Sequence, residues 1–257
     1  METEEQKTVP TFKATLADGT EFKNAVSVMS GLITEFALEI DVNGFRVVEM
    51  DPANVAMVVY EVKPAHFTEY NLSEKQRIGL SMKAINDVLK NAKKNDMICL
   101  ERTEDNKLDI SLRGNIVRKY TLPLLDVTDK REVKVPELAM KAKVFIDARV
   151  LYDQVKEAHS AGESIKFCTD NIKQQFDLSV DADLNKLNME NKGLEMTTDG
   201  LQVCKYSAEY LIKIVAAKKV SNFCTIEFST DWPCSINYQS IDRYSLRFIL
   251  APRIESS

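Results

Sequence analysis

An internal repeat constrains the fold of this 257-residue chain more than any other feature of its sequence. Residues 92–101 read AKKNDMICLE and residues 217–227 read AKKVSNFCTIE, and 125 positions separate Lys93 from Lys218. Each segment has the pattern of a helix end, a lysine pair and a strand. Because this spacing is about half of the chain, we predict two copies of one α+β unit.

Hydrophobic periodicity predicts two helices in each copy. Apolar residues recur at spacings of three and four in four segments, which are 24–38, 81–92, 148–158 and 208–217. Strands are predicted at 11–16, 37–40, 45–50, 56–62, 97–102, 107–112, 141–146, 164–168 and 174–180. Asn43-Gly44 predicts a β-hairpin and Asp199-Gly200 a second turn. The order of predicted elements repeats after mid-chain.

The residue types that carry most enzymatic chemistry are scattered along the chain. The eight glycines form no nucleotide-binding loop, the two histidines form no HExxH pair and the five cysteines form no CxxC pair. We therefore expect no catalytic residue, no metal site, no cofactor and no enzymatic activity. The alternative is an enzyme built on a duplicated scaffold, with Asp51 and Glu49 as catalytic acids.

Composition indicates an ordinary globular chain, with 44% hydrophobic and 28% charged residues. No apolar run reaches the roughly 18 residues that a membrane span requires, and the first ten residues are acidic and polar. We therefore expect an intracellular protein.

Charge is distributed unevenly, although the net charge is only −5. The predicted helices 81–94 and 209–219 are rich in lysine, whereas acidic residues crowd 1–5 and 181–195. This distribution fits a protein that presents a polyanion-binding face and repels polyanions elsewhere. Alternatively, Lys93, Lys94, Lys218 and Lys219 bind the last carbonyl groups of their helices and need no ligand.

A charged segment that ends in proline lies at mid-chain, at residues 130–136, and predicts a surface linker. We divide the chain into an N-terminal tail (1–10), an N-terminal domain (11–127), a connector (128–137) and a C-terminal domain (138–257).

Four blocks resemble the proliferating cell nuclear antigen family, the DNA sliding clamps, in the family's order and spacing. They are MDPANVAMV at 50–58, IGL at 78–80 leading into LKNA at 89–92, LPLLDV at 122–127 and LAPRIE at 250–255. The resemblance extends over residues 12–255. With Pro123 in its LPL sequence, the chain resembles archaeal members of the family more than animal ones. It implies an α+β clamp fold with two similar domains, each with two helices packed on antiparallel sheets.

The resemblance also implies a homotrimeric ring that surrounds duplex DNA with its helices inside and acts as a processivity factor in DNA replication and repair. DNA contact without base reading would come from basic residues on or near the helices. These are Lys23, Lys83, Lys90, Lys93, Lys94, Arg149, Lys156, Lys213, Lys218 and Lys219.

A second implied surface is a groove that binds short hydrophobic peptide motifs of DNA polymerase, the clamp loader, flap endonuclease and DNA ligase. It maps to Met50, Asn54, Val55, Val133, Val135, Pro233, Leu250, Ala251 and Pro252. For Met50 and Leu250, plain core packing is an equal alternative. The implied location is on the chromosome, in the cytoplasm or nucleoid of an archaeon or the nucleus of a eukaryote.

Edge strands are expected to join the subunits, because unpaired strand edges readily pair with another chain. The candidate strands are 115–120 and 174–180, with the interface residues Ile116, Arg118, Tyr120, Phe176, Leu178 and Val180.

This chain departs from the family pattern at two surfaces. Asn54 stands where many relatives carry histidine, and Asn24, Ser30, Asp87 and Ala216 stand where other clamps often carry basic groups. These departures motivate an alternative function, a specialised subunit of a heterotrimeric or checkpoint-type clamp.

Overall fold

The computed structural model describes residues 11–102, 106–127, 133–181 and 186–253. The predicted N-terminal tail, the first five residues of the predicted connector (128–132) and residues 254–257 lie outside the described residues.

In the first half of the chain, the described residues form nine strands, two α-helices and a short 3₁₀ helix at Pro64–His66. The elements are β1 (Phe12–Leu16), α1 (Thr20–Met29), β2 (Glu35–Asp41), β3 (Gly44–Met50), β4 (Ala56–Val62), β5 (Glu69–Leu72), β6 (Gln76–Ser81), α2 (Met82–Leu89), β7 (Met97–Arg102), β8 (Lys107–Arg113) and β9 (Val117–Pro123).

The second half repeats this order, with a 3₁₀ helix at Ala216–Lys219. The elements are β10 (Ala142–Asp147), α3 (Ala148–Ala161), β11 (Ser164–Asp170), β12 (Gln175–Asp181), β13 (Lys186–Lys192), β14 (Glu195–Thr198), β15 (Gln202–Ser207), α4 (Ala208–Val215), β16 (Phe223–Phe228), β17 (Cys234–Ser240) and β18 (Tyr244–Leu250).

The strands form three antiparallel sheets. Their orders are β5-β1-β7-β8-β9, β14-β10-β16-β17-β18-β4-β3-β2-β6 and β13-β12-β11-β15. Each strand of the first half therefore corresponds to the strand nine places later, and the halves join where β18 pairs with β4, from Tyr244 opposite Val62 to Leu250 opposite Ala56. The prediction of two similar α+β units is confirmed.

The helices pack on one face of the sheets and form a layer in which α1 packs on α2 and α3 packs on α4. Each helix buries one apolar face, for example Met82, Ile85, Val88 and Leu89 of α2. Two side-chain caps begin helices: Ser81 Oγ accepts from the Ala84 amide (3.4 Å) and Asp147 Oδ1 accepts from the Arg149 amide (2.8 Å). Across the halves, α1 contacts Ala216–Lys219, where the Asn24 side chain donates to the Lys219 carbonyl (2.8 Å).

Two predicted segments are corrected by the structure. The predicted helix 24–38 is wrong beyond α1, because the chain turns at 30–34 and Glu35–Asp41 is a strand. The apolar residues of this segment satisfy a helical period, but from residue 36 onward they belong to a strand that is largely buried on both faces.

The predicted edge strand 174–180 is also wrong as an edge. It is β12, which pairs with β11 on one side and with β13 on the other. Phe176, Leu178 and Val180 are consequently buried in the core. The outer strands of this sheet are β13 and β15, and alternate side chains of β13 are exposed.

Candidate functional surfaces

Three surfaces carry the predicted site residues. The helix layer comprises α1–α4 with Ala216–Lys219. The outer cluster comprises Met57, Val59 and Ile249 with the half-buried Val48, Met50, Val133, Val135 and Leu138. Of the six outermost strands of the three sheets, we use the name free edges for β9 and β13. Within the described residues, no group of three or more histidine, cysteine, aspartate or glutamate side chains is placed to hold a metal ion. No helix in the described part of the chain is long and apolar enough to cross a membrane.

The predicted DNA-contacting residues all lie on the helix layer or immediately after its helices. Several of them have acidic partners. Lys83 Nζ and Lys90 Nζ lie 2.7 and 2.5 Å from the two carboxylate oxygens of Asp87, and these hydrogen bonds lower the pKa of Asp87 to about 2. Lys213 Nζ lies 2.8 Å from Glu209. The local charge of this face is therefore lower than its lysines alone would give.

Other basic residues of the helix layer bind protein groups. Lys23 Nζ donates to the carbonyl oxygens of Lys90 (3.1 Å) and Ala92 (2.5 Å), and therefore binds the end of α2 from a neighbouring helix. Lys218 Nζ lies 3.2 Å from the centre of the Tyr152 ring. Lys219 Nζ donates to Ser27 Oγ (2.8 Å), and burial lowers the pKa of Lys219.

Four predicted DNA-contacting side chains have no hydrogen-bond or ion-pair partner among the described residues. They are Lys93, Lys94, Arg149 and Lys156. These four are the most available cations for a polyanion. The interpretation of Lys93 and Lys94 as groups that bind the end of their own helix is not needed, because Lys23 binds those carbonyls.

The outer cluster lies on the face of the nine-stranded sheet that is opposite the helices. Met57 and Val59 of β4 and Ile249 of β18 are its buried members. Val133 and Val135 pack on them, and so does Met50 of β3. The structure therefore brings together the connector residues and Met50, which the sequence predicted for one groove.

Leu250 is a correction to that predicted groove. Its side chain is fully buried in the main core, on the helix side of the sheet, and Val55 also packs on that core. Successive strand residues point to opposite faces, so the neighbouring Ile249 occupies the outer cluster instead. Sequence reasoning also missed Met57 and Val59, which the same alternation along 56–62 could have indicated.

The remaining predicted groove residues lie at the ends of strands beside the outer cluster. Pro233 immediately precedes β17 and Ala251 and Pro252 follow β18, and Cys234 of β17 lies opposite Leu250 of β18. The Ala251 amide donates to the Val55 carbonyl (2.9 Å), which joins this end of β18 to the turn at 51–56.

Asp51 organises the turn at 51–56 that carries Asn54. Asp51 as a whole is 4% exposed, and its carboxylate accepts hydrogen bonds from the amides of Ala53 (3.1 Å), Val55 (2.7 Å) and Ala56 (2.7 Å). Glu49 is also buried and accepts from the Ala37 amide (2.9 Å). Both acids thus stabilise backbone, which does not favour the alternative of catalytic acids.

The free edges differ in how their predicted residues are used. Ile116, beside β9, is 63% exposed, whereas Tyr120 packs on the core. The guanidinium of Arg118 binds Asp96 and the Asn91 carbonyl, and so holds β9 to the end of α2. On β13, Leu187 and Met189 are only partly buried by the core beneath them. Both edges therefore leave backbone groups and apolar surface for another strand to cover.

Comparisons with known proteins agree with this arrangement. A family model for the N-terminal domain of proliferating cell nuclear antigen matches residues 11–133. The DNA polymerase sliding clamp of Pyrococcus furiosus is 30% identical over 249 residues, which is 95% of this chain and 99% of that protein. The clamp of Nanoarchaeum equitans is 29% identical over 94% of this chain and 99% of its own length.

The fold is similar to a solved structure of this type. The crystal structure of proliferating cellular nuclear antigen from Entamoeba histolytica has a TM-score of 0.89 at 18% identity, with 96% of this chain and 100% of that chain covered. That structure supports the α+β clamp fold, and the archaeal relatives extend the likeness to nearly the whole sequence. The chain belongs to the proliferating cell nuclear antigen family of DNA polymerase sliding clamps.

Proposed function

We propose that three copies of this chain close into a ring through pairing of β9 of one subunit with β13 of the next. The observation that carries this proposal is the join between the halves. At that join, the five strands β14-β10-β16-β17-β18 continue into the four strands β4-β3-β2-β6, because β18 pairs with β4. The strands equivalent to β18 and β4 in the other halves are β9 and β13, so their pairing would produce a second nine-stranded sheet.

Repetition of this join gives six similar domains with the helix layer on the inside. The basic residues of that layer then surround duplex DNA. The unpaired Lys93, Lys94, Arg149 and Lys156 would contact phosphates, while Lys83, Lys90 and Lys213 share their charge with Asp87 and Glu209. Weak phosphate contacts without base contacts suit a ring that slides along DNA.

The outer cluster, the turn at 51–56 and the strand ends at Pro233, Ala251 and Pro252 form the proposed partner groove. Half-buried Val133, Val135 and Met50 offer apolar contact to a short hydrophobic peptide. Partners that carry such a peptide, including DNA polymerase, the clamp loader, flap endonuclease and DNA ligase, would be held near DNA. Tethering raises their effective concentration there, so the protein needs no catalytic activity of its own.

We further propose that the domains are 11–127 and 138–257, joined by the connector 128–137, and that the protein acts on the chromosome. The described part of the connector supports this division, because residues 133–140 have no strand or helix and Val133, Val135 and Leu138 lie against the outer sheet face.

Solution mass tests the ring directly. Light scattering at micromolar concentration should give about 87 kDa, three times the chain mass of 29.1 kDa. A monomer or dimer at that concentration would contradict the homotrimer and favour a mixed ring with other clamp subunits.

Whether the ring encircles DNA is tested by comparing its retention on circular and on linear DNA. A ring loaded on nicked circular DNA should be retained in salt that removes ordinary phosphate binding, and linearisation should release it. Equal retention on circular and linear DNA would contradict encirclement even if the protein is trimeric.

A further inference from the structure

A side-chain hydrogen bond joins the helix layer to the turn that borders the proposed partner groove. Tyr210 Oη, on α4, donates to Asp51 Oδ2 at 2.7 Å, although 159 positions separate the two residues. The Tyr210 ring also lies under Lys213, with Nζ 5.4 Å from the ring centre. A residue of the second half thus reaches a turn of the first half.

The acceptor of this bond determines the shape of the turn. Besides Tyr210, Asp51 binds the amides of Ala53, Val55 and Ala56, and the turn places Asn54 in the left-handed region at a φ of 57°. Asparagine adopts this region more readily than most non-glycine residues, but at a higher cost than glycine, so hydrogen bonds around the turn help to keep it there. Asp51 and its partners supply these hydrogen bonds.

Asp51 can do this only as a carboxylate. Burial raises its pKa, but the hydrogen bonds from Ala56, Tyr210, Ala53 and Val55 outweigh burial and lower it below its ordinary value. The ionised carboxylate therefore makes charge-assisted bonds, which are stronger than those between neutral groups.

We infer that Tyr210 is a positioning residue for the partner groove: its hydroxyl orients Asp51 and so holds Asn54 and Val55 in the shape that a partner peptide meets. The inference rests on the proposed function of the outer cluster and the turn. Without the hydroxyl, Asp51 Oδ2 keeps only the longer bond to the Ala53 amide. The turn at 51–56 then loses part of its restraint and samples other conformations.

Tyr210→Phe is the test, because it removes the hydroxyl and leaves the ring under Lys213. Affinity is measured by fluorescence anisotropy with a fluorescein-labelled synthetic peptide rich in leucine and phenylalanine. We expect roughly tenfold weaker binding by Tyr210→Phe, the order of one lost charge-assisted hydrogen bond, with an unchanged solution mass.

Tyr152→Phe is the matched control. Tyr152 is also a helix-layer tyrosine under a lysine, Lys218, but none of the described residues hydrogen-bonds to its hydroxyl. This variant should bind the peptide as the unmodified protein does.

A double substitution separates positioning from general destabilisation. Asn54→Gly removes the cost of the left-handed conformation, so Tyr210→Phe should weaken binding less in the Asn54→Gly protein than in the original. An equal loss in both backgrounds would argue for a structural defect elsewhere and overturn the inference.

Amide hydrogen exchange provides a readout that does not depend on the peptide. In Tyr210→Phe, the Val55 and Ala56 amides should exchange faster, while strand amides of β17 should not change. If the unmodified protein fails to bind the peptide, the proposed groove is wrong, and the exchange still tests the hydroxyl. Unchanged exchange at Val55 and Ala56 would overturn the role of Tyr210.

Discussion

Single acidic residues decide how much of the lysine charge in the helix layer is left for the proposed contact with DNA. Asp87 is the clearest case, because both of its carboxylate oxygens bind lysine, and the pairing lowers its pKa to about 2. At neutral pH it therefore remains ionised and shares the charge of Lys83 and Lys90. Sequence alone showed one acid among four lysines here, but not that it binds two of them.

Asp87→Asn should strengthen DNA binding. The change removes one negative charge per subunit and leaves Lys83 and Lys90 free to contact phosphates, so we expect roughly three- to tenfold tighter binding at low salt and a steeper salt dependence. The measurement is a salt titration of binding to duplex DNA.

Asp242→Asn is the control for that change. Asp242 is exposed in the turn between β17 and β18 at a φ of 61°, which asparagine also tolerates, and it lies outside the helix layer. If both variants gain equally, general charge explains the effect and the local role of Asp87 is wrong.

His66 is a buried titratable residue between the halves. Neither ring nitrogen has a hydrogen-bond partner among the described residues, Glu21 Oε2 lies 3.6 Å from Nε2, and the Tyr244 ring packs against it. Burial lowers the pKa of His66 and Arg243 lowers it further, while Asp18 opposes them. The folded protein therefore favours the neutral imidazole.

This shift predicts an acid-dependent loss of stability. Because the unfolded chain binds the proton more readily, the contribution of His66 to the free energy of unfolding should be constant above about pH 6.5 and fall as pH decreases towards the folded pKa, by about 1.4 kcal/mol for each unit of pKa depression. His66→Gln should remove this component.

Denaturant unfolding between about pH 7.5 and pH 5 measures it, as the difference between the two proteins. Burial raises the pKa of the neighbouring Glu21 towards this pH range. The contribution of Glu21 is the same in both proteins and cancels in the difference, provided that the substitution leaves its surroundings intact. Parallel pH profiles for the two proteins would contradict the prediction.

At the scale of elements, the connector acts through side chains that alternate between contact and solvent. Val133 and Val135 pack on the outer cluster, while Lys134 between them is exposed. The segment thus has an apolar side without being a strand of the sheet.

Val135→Ala should weaken peptide binding about fivefold, because truncation of a half-buried valine removes on the order of 1 kcal/mol of apolar contact. Lys134→Ala should have little effect, and neither change should alter the solution mass. Fluorescence anisotropy with the same labelled peptide compares them. If Lys134→Ala weakens binding as much as Val135→Ala does, the apolar side of the connector is not the contact.

Local sequence patterns largely predict the order of helices and strands along the chain. They do not predict which strands lie next to each other in a sheet. The hairpin at Asn43-Gly44 and helices α2, α3 and α4 follow from turn residues and apolar spacing, with ends that shift by a few residues. The predicted helix 24–38 and the predicted strand 37–40 overlap, because the apolar residues there fit both periods, and the structure gives Glu35–Asp41 to the strand. The positions of β12 and β13 depend on pairing partners, which no local pattern specifies.

The same limit applies to the candidate surfaces. Lysines along the predicted helices indicate that the helix layer is a basic surface. Valines in an otherwise charged connector indicate that they pack against another apolar surface. For Leu250 the sequence leaves groove and core as equal alternatives, because block similarity does not distinguish strand faces. The structure buries Leu250 in the core and gives the outer position to Ile249. The bond from Tyr210 to Asp51 joins residues 159 positions apart, and only the fold brings them together.

At the scale of the whole molecule, the proposed ring depends on edges that a single chain leaves unpaired. Ile116 beside β9 is 63% exposed and would lie at the subunit joint. Ile116→Asp should therefore reduce the mass from about 87 kDa to about 29 kDa in light scattering at micromolar concentration, because it places a charge against a strand edge and its apolar surface.

Ile241→Asp is the control for the joint, since Ile241 is 81% exposed in the turn between β17 and β18 and belongs to neither free edge. A trimeric Ile116→Asp protein would contradict the proposed joint, and dissociation of both variants would point to a general effect of added charge.

The pairing of β18 with β4 has a consequence for how such a ring could admit DNA. Six joints would have similar strand geometry, but at three of them both partners belong to one polypeptide, and contacts such as Lys219 with Ser27 and Tyr210 with Asp51 cross the same boundary. A strand that leaves its partner within a chain remains tethered at high effective concentration and returns at once, whereas a strand that leaves a neighbouring subunit does not. In the proposed ring, covalent connectivity would therefore keep three joints closed, and the other three, between subunits, would be the places where the ring opens.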